Sequence, residues 1–311
     1  MATEHQLDAG EGTVRVGILD RSHPPVLTVE SGDTVVTQTL NHWADGVTPE
    51  STMADVIRLR TEKYPDVGPH SVTGPIAVRG AHPGQMLRVD IIELVPRSHG
   101  FNLNYPSEFG TGLLPDDFPD GRLQHLHLDL ETLTTRFGGA TLPLRPFLGI
   151  MAVSPQDPGP HSTVPPGPHG GNIDLAELVE GTTLYLPIWN EGANFSVGDA
   201  HARQGDGEVC LTAIETAMDV VTLRLSVVDS PYQTMPIAQT PDHWITMGFN
   251  EDLLEATKQA ARSMISLLEA QFGVDRSEAY GLCSMAVDFA VTQVVNKVRG
   301  VHAKLPKSIF A

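Results

Sequence analysis

Met86-Leu-Arg-Val-Asp-Ile-Ile-Glu-Leu94 sets Leu87, Val89 and Ile91 against Arg88 and Asp90, the period-two pattern of a strand with one buried and one wet face. It follows His82-Pro-Gly-Gln85, whose Pro-Gly pair marks a tight turn. Upstream, Thr34-Val-Val-Thr-Gln-Thr-Leu40 leaves the turn Ser31-Gly-Asp33 as another β-rich run, and Pro49 to Ile57 has room for one or two helical turns. Downstream, Thr183–Ile188, Val209–Glu215 and Val220–Val228 read as three more strands, with a long surface connection over Phe101–Arg122. The chain's 29 glycines and 24 prolines interrupt helices and suit many short strands.

The last seventy or so residues change character. From Leu253 to Phe272 apolar residues recur at helical spacing, with Asn250 the expected N-cap and Gly273 the stop. Asp275, with Glu278 three residues on, starts a second helix predicted to run to about Val298, before Gly300. The expectation is α+β overall: a mainly β body followed by C-terminal helices. Residues 1–311 read as a single unit, open to subdivision into a β-rich body over 1–240 and a helical region over 241–311.

The net charge of -18 excludes nucleic acid and anionic membrane surfaces as partners. No window carries the 18 or more apolar residues of a membrane span, and the first residues lack a signal-like basic and apolar run. With only Cys210 and Cys283 in a chain that is 41% hydrophobic, disulfides are not needed to hold a core, which fits the cytoplasm.

Chemistry concentrates in Gly198-Asp-Ala-His-Ala-Arg-Gln-Gly-Asp-Gly-Glu208. Asp199 and His201 are two apart, as are Asp206 and Glu208, so in extended chain each pair faces one way. Carboxylates with imidazole are the ligands of a catalytic divalent ion; the plainer reading is an acidic loop whose carboxylates cap its own turns. Pro168-His-Gly-Gly-Asn-Ile-Asp174 adds His169, Asn172 and Asp174 around a Gly-Gly turn that could equally cap the next segment, and His70 sits in Gly68–Pro75 before a strand. There is no Gly-x-Ser-x-Gly elbow and no P-loop ending, and the middle of the chain is almost free of lysine. Cys210 is expected as a buried thiol on a strand and Cys283 as helix core. Trp43, Trp189 and Trp244 are core residues by default, with a pocket wall as the alternative.

Several of these stretches resemble the acetamidase/formamidase family. They are His70–Gly84, Arg145-Pro-Phe-Leu-Gly-Ile-Met-Ala-Val-Ser-Pro155, Pro168–Asp174, Leu184–Pro187, the run Phe195–Glu215, and the endings Gln293-Val-Val and Leu305–Phe310. Gln85 stands where that pattern has an acid. The resemblance implies a β-sandwich-like, two-layer body with a smaller α/β portion, and hydrolysis of a small carboxamide of the acetamide or formamide type to carboxylate and ammonia. It also implies a divalent metal, zinc first and calcium second, and a homodimer. On that basis Asp199 and His201 are the expected metal ligands, with His169 or His70 as a third and Asp174 orienting a ligand or joining the set. Glu208 is the expected general base, Glu215 its competitor, and Asn172 with the Gly170 and Gly171 amides the grip on the substrate. The alternatives are a non-catalytic carbohydrate- or metal-binding β-sandwich module, or a hydrolase of another C–N bond.

Overall fold

A computed structural model describes residues 2–229 and 234–310. Two nine-stranded sheets dominate it. One runs in the order Glu4–Leu7, Asp33–Thr37, Met218–Val228, Met86–Pro96, Thr183–Pro187, Ile237–Gln239, His243–Asn250, Arg299–Pro306, Asp288–Gln293. The other has Phe147–Ala152, Phe195–Arg203, Ile214–Thr216, His99–Asn104 and Arg122–His127 along its main path, with Ser71–Val78 joining at Phe195–Arg203. Leu87, Val89, Leu184 and Leu223 of the first sheet share one core with Leu148, Met151, Phe195 and Val197 of the second, so the sheets pack face to face. The body is therefore mainly β and sandwich-like, as expected.

The first sheet is covered on its second face where the C-terminal helices pack, over Ile237–Gln239, His243–Asn250 and Arg299–Pro306. Ala238 points into the sandwich core, while its neighbour Ile237 packs with Val301, Ala303 and Leu305 against the helix Leu253–Phe272. That helix buries Ala256, Ala260, Met264 and Leu268, the i, i+4 stripe that makes it amphipathic. Asp252 is its N-cap, accepting from the Leu254 and Glu255 amides at 2.8 and 3.0 Å; Asn250 ends the preceding strand instead. Gly273 closes the helix in the left-handed conformation.

Two local expectations fail. The second helix covers only Arg276–Ala286, and the residues read as its continuation form the edge strand Asp288–Gln293 beside Arg299–Pro306. Phe289, Val291 and Thr292 favour a strand that has a neighbour to pair with, and pairing overrides the helical spacing. Residues 241–311 thus supply three strands of the first sheet as well as both long helices. The strand expected over Val209–Glu215 shrinks to Ile214–Thr216, because Glu208 and Leu211 turn the chain at φ 47 and 118. Cys210 accordingly lies half-buried in a turn rather than in a strand core, while Cys283 is buried in its helix.

The strand that positions the site is Phe195–Arg203. One edge runs along Phe147–Ala152; the other changes partner midway. Val197 and Gly198 pair with Thr73 and Val72, whereas Ala200 and His201 pair with Thr216 and Glu215. Asp199 occupies the changeover at φ 54, a left-handed backbone that a non-glycine residue adopts only where its surroundings enforce it.

Candidate active site

Asp199 and His201 leave the same strand two residues apart, and antiparallel register sets Glu215 across from His201. The three groups meet: His201 Nε2 is 3.2 Å from Glu215 Oε1 and 3.7 Å from Asp199 Oδ2. His70 reaches the same carboxylate, its Nε2 lying 3.9 Å from Asp199 Oδ2. Its Nδ1 is held 2.9 Å from Thr163 Oγ1, which belongs to the proline-rich segment over 154–171. That segment forms a wall of the site: Ser162 and Val164 line the same cavity.

His42 completes the group and was not singled out from sequence. Its Nε2 lies 3.2 Å from Glu215 Oε2 and 3.5 Å from Asp199 Oδ1. It is presented by the short turn His42–Asp45, in which Trp43, Ala44 and Asp45 are left-handed at φ 55, 55 and 59. Such a run costs roughly 1–2 kcal/mol per residue. Opposing hydrogen bonds hold it: Trp43 N to Pro69 O at 2.7 Å, Ala44 N to Ser71 Oγ at 2.8 Å, and Ser71 Oγ to Asn41 O at 2.6 Å. The residue next to His70 thus locks the turn that carries His42. The three left-handed positions carry no glycine themselves, and the Asp45-Gly46 pair at their end marks a turn without announcing its hand.

Asp174 and Glu208 form a second acidic pair beside His201. Asp174 Oδ1 is 4.0 Å from His201 Nδ1, and Asp174 Oδ2 accepts from Asn296 Nδ2 at 2.5 Å. Like Asp199, both acids sit on left-handed backbone, at φ 53 and 47. Gln204 Oε1 lies 3.1 Å from His201 Nδ1 while Gln204 Nε2 donates to Asp174 O at 2.7 Å. Since a carbonyl only accepts, the amide orientation is set and His201 Nδ1 is the donor toward Gln204.

His169 does not join this group. It is half-buried, wedged between Gly167 and Gly171, and is not part of the cavity wall. Gly170 and Gly171, at φ 88 and 81, fold the chain so that its imidazole turns back on its own loop. Asn172 does face the cavity. Its Nδ2 donates to Val164 O at 3.1 Å, leaving the buried Oδ1 without a partner. Asn172 therefore offers an acceptor, suited to a substrate N–H. The Gly170 amide is also committed, to Gly167 O at 2.9 Å. Asp206 stays outside, 4.0 Å from His302.

Burial and mutual charge split the acids in two. Burial pushes Glu215 up, but His201 outweighs it and holds the carboxyl down at about 2. Asp199 is likewise held well below its ordinary value, the neighbouring imidazoles of His70, His201 and His42 outweighing its burial. Burial drives Asp174 up to about 8 and Glu208 well above the usual range, each with carboxylate neighbours adding to the rise. Against their burial, Glu215 and Asp199 raise His42 to about 9 and His201 well above neutrality, whereas burial lowers His70 to about 4. Two ionised carboxylates are thus neutralised by imidazolium, beside two acids that keep their protons.

Among the described residues three overlapping sets could hold a metal ion: His42, His70 and Asp199; Asp199, His201 and Glu215; Asp174, His201 and Glu208. Both His42 ring nitrogens, Asp199 Oδ1, Asp174 Oδ1 and Glu208 Oε2 are buried without a hydrogen-bond partner, His42 Nε2 approaching the carboxylates without hydrogen-bond alignment. Such groups normally have partners, and a cation would supply one.

Packing leaves no slack here. A Cβ on Gly149 would stand 2.6 Å from Asp174 Oδ1 and 2.7 Å from Asp199 Oδ2. Gly149→Ala is expected to cost about 1–3 kcal/mol in stability through overpacking and to lower amide turnover more than tenfold by displacing both carboxylates. Urea unfolding beside kinetics checks this, and an alanine variant with normal stability and rate would refute the fit.

The proton held by Asp174 gives a second test. A group whose folded pKa is raised binds its proton in the folded state after the unfolded chain has lost it. Metal-free protein should therefore lose stability as pH rises between the ordinary 3.8 and about 8, by up to about 1.4 kcal/mol per pH unit for one proton. Asp174→Asn should flatten that slope, as followed by denaturant titrations across the window; an unchanged slope would contradict the assignment.

The cluster opens into a cavity of about 780 Å3. Among the described residues no helix is long and apolar enough to cross a membrane.

The acetamidase/formamidase family model matches residues 14–162 and 158–311. A formamidase of Methylophilus methylotrophus is 28% identical, over 61% of this chain and 61% of its own. The chain thus spans about six-tenths of the length of that relative. An acetamidase of Mycolicibacterium smegmatis is 25% identical over 71% of this chain and 68% of its own. The crystal structure of an acetamidase from Bacillus halodurans superimposes with a TM-score of 0.87 at 30% identity, covering 98% of both chains. With nearly every residue matched and the fold reproduced end to end, the chain belongs to the acetamidase/formamidase family.

Proposed function

We propose that this protein is a metal-dependent amidase that hydrolyses a carboxamide to carboxylate and ammonia, with the reaction centred on Asp199. The observation that carries the reading is the convergence of buried, unpartnered His42, Asp199 and Glu208 atoms on one cavity, with the unpartnered Asp174 Oδ1 beside His201 behind its wall. Two imidazoles and a carboxylate from His42, His70 and Asp199 form our ligand set, the three-ligand composition of many catalytic zinc sites. Imidazole donors fit zinc better than calcium, which takes oxygen ligands. His201 and Glu215 form the competing set about the same Asp199. Metal content decides between them: His42→Ala loses the ion in the first arrangement and keeps it in the second.

Bound at this site, a divalent cation would polarise the amide carbonyl and make water a better nucleophile near neutral pH. The chain's own groups do the rest. Asn172 Oδ1 accepts an N–H of the substrate amide and so orients its nitrogen. Glu208, its ionised form favoured beside a bound cation, takes the proton of the attacking water and passes it to that nitrogen, so that RCONH2 and H2O give RCOO– and NH4+. Burial and the neighbouring Asp174 raise its pKa well above the ordinary carboxylate value, which strengthens it as a proton acceptor once it is ionised. Glu215, kept ionised by His201, positions that imidazolium. A binding-only module has no need of acids held in opposite protonation states.

Ammonia release from formamide, acetamide and longer amides tests the activity. It should fall on dialysis against a chelator and return with zinc; full activity in metal-stripped protein would refute the metal's role. Metal uptake should also release protons from His42, seen as a buffer-dependent heat in calorimetry. We further place the protein in the cytoplasm, supported by its two free cysteines, and assign it the homodimer implied by the family resemblance, checked by light scattering.

A further inference from the structure

We propose that the amide accepted here is one end of a longer molecule whose far end is a carboxylate, with Arg60 and Lys297 binding that carboxylate and Tyr105 and Phe109 flanking its apolar middle. The inference rests on the amidase reading and extends it to substrate class.

Volume is the first observation. At the roughly 30 Å3 a water occupies in the liquid, an amide with four heavy atoms fills on the order of 100 Å3. The cavity holds about 780 Å3, several times more. A one- or two-carbon amide would leave most of that space to water and could not close the site around the reacting group. Cavities of this size enclose ligands of ten or more heavy atoms.

Charge is the second. The chain carries 20 Lys and Arg against 38 Asp and Glu, yet its outer cavity wall reverses that balance. Arg60, Lys297 and Arg299 line it against one exposed acid, Asp66, while the other acids of the cavity are the buried site carboxylates. None of the three cations forms an ion pair among the described residues. Lys297 makes no hydrogen bond there either, and the Arg299 guanidinium donates only to the Glu251 carbonyl. Arg60 lies over the rings of Tyr105 and Phe109, its Cζ 4.7 and 5.1 Å from their centroids. The Tyr105 hydroxyl also engages part of the guanidinium and fixes it over the rings, so its remaining N–H groups are pre-oriented for a planar carboxylate. Lys297 sits on left-handed backbone at φ 64, directly after Asn296, whose side chain is anchored to Asp174. A surface lysine needs neither constraint; one aimed at a ligand group benefits from both.

The test compares 4-carbamoylbenzoate with its methyl ester and with benzamide, which separates charge from size. Wild-type protein should show kcat/KM for the acid at least about tenfold above the ester, the worth of one charge-assisted contact. In an Arg60→Gln/Lys297→Gln double variant that ratio should fall toward one, and in wild type it should shrink with added salt. Because the readout is a ratio, a general loss of activity does not imitate the result. An acid no better than its ester, or a ratio the double variant leaves in place, overturns the inference. So does turnover of acetamide without turnover of either aromatic amide, which leaves the amidase reading intact. If no amide at all is cleaved, the amidase reading fails instead. Calorimetric titration with 4-carbamoylbenzoate then decides for the pocket: binding that weakens about tenfold in the double variant supports it, and equal or no binding overturns it.

Discussion

Asp199→Asn should abolish amide turnover, lowering kcat/KM by about ten-thousandfold or more, or roughly 5 kcal/mol of transition-state stabilisation. The substitution keeps shape and removes charge. It also respects the backbone: Asp199 is left-handed at φ 54, and asparagine tolerates that region as readily as aspartate, whereas alanine would not. Any loss is therefore chemical. Asp199 Oδ1 faces His42 and Oδ2 faces His70 and His201, so the neutral amide withdraws the one anion common to two of the three ligand sets. Metal content measured by mass spectrometry should fall with activity. The metal-free fold should survive with a loss of stability, because His42 and His201 lose an anionic partner while repulsion with Glu215 is relieved. An Asp199→Asn protein that keeps its metal and its rate would remove the centre of the proposed site.

Glu208→Gln should act differently. Glu208 is buried, with Oε2 unpartnered and its carboxyl favoured in the protonated form. Glutamine copies that form in shape and charge but can neither accept nor release the proton. We expect kcat to fall by about 10²–10⁴-fold, the usual worth of a general acid–base group. KM and stability should change little, and metal content should not. That contrast separates the two roles: loss of the ion in Glu208→Gln would make Glu208 a ligand with Asp174 and His201, and unchanged turnover would exclude it from the chemistry.

Part of the site was legible in the sequence because it is local. Asp199 and His201 share one strand, and Glu208 follows in the turn that ends it, so their clustering within eleven residues survives folding. Asn172 and Asp174 reach the cavity region because their segment is hydrogen-bonded to Phe147–Ala152, itself the neighbour of Phe195–Arg203. Spacing misled at His169, where two left-handed glycines reverse the chain and send the imidazole elsewhere. It misled again beyond Ala286, where a helical pattern gave way to a strand because a partner edge was available.

What the amino-acid sequence determined unaided was the layer architecture and the type of chemistry. Alternating apolar positions, frequent turns and one amphipathic segment suffice for a β body with packed helices, and carboxylates interleaved with histidine near glycines suffice to suggest a cation. Which groups meet was decided only in three dimensions. His42 is about 157 residues from Asp199 in the chain, and reaches it through a glycine-free left-handed turn pinned by Ser71. His201 and Glu215 face each other by register, and the opposite protonation of Asp199 and Asp174 arises from which charges each is buried beside. These are long-range contacts and fields, which depend on where the chain returns in space and leave no trace in local spacing.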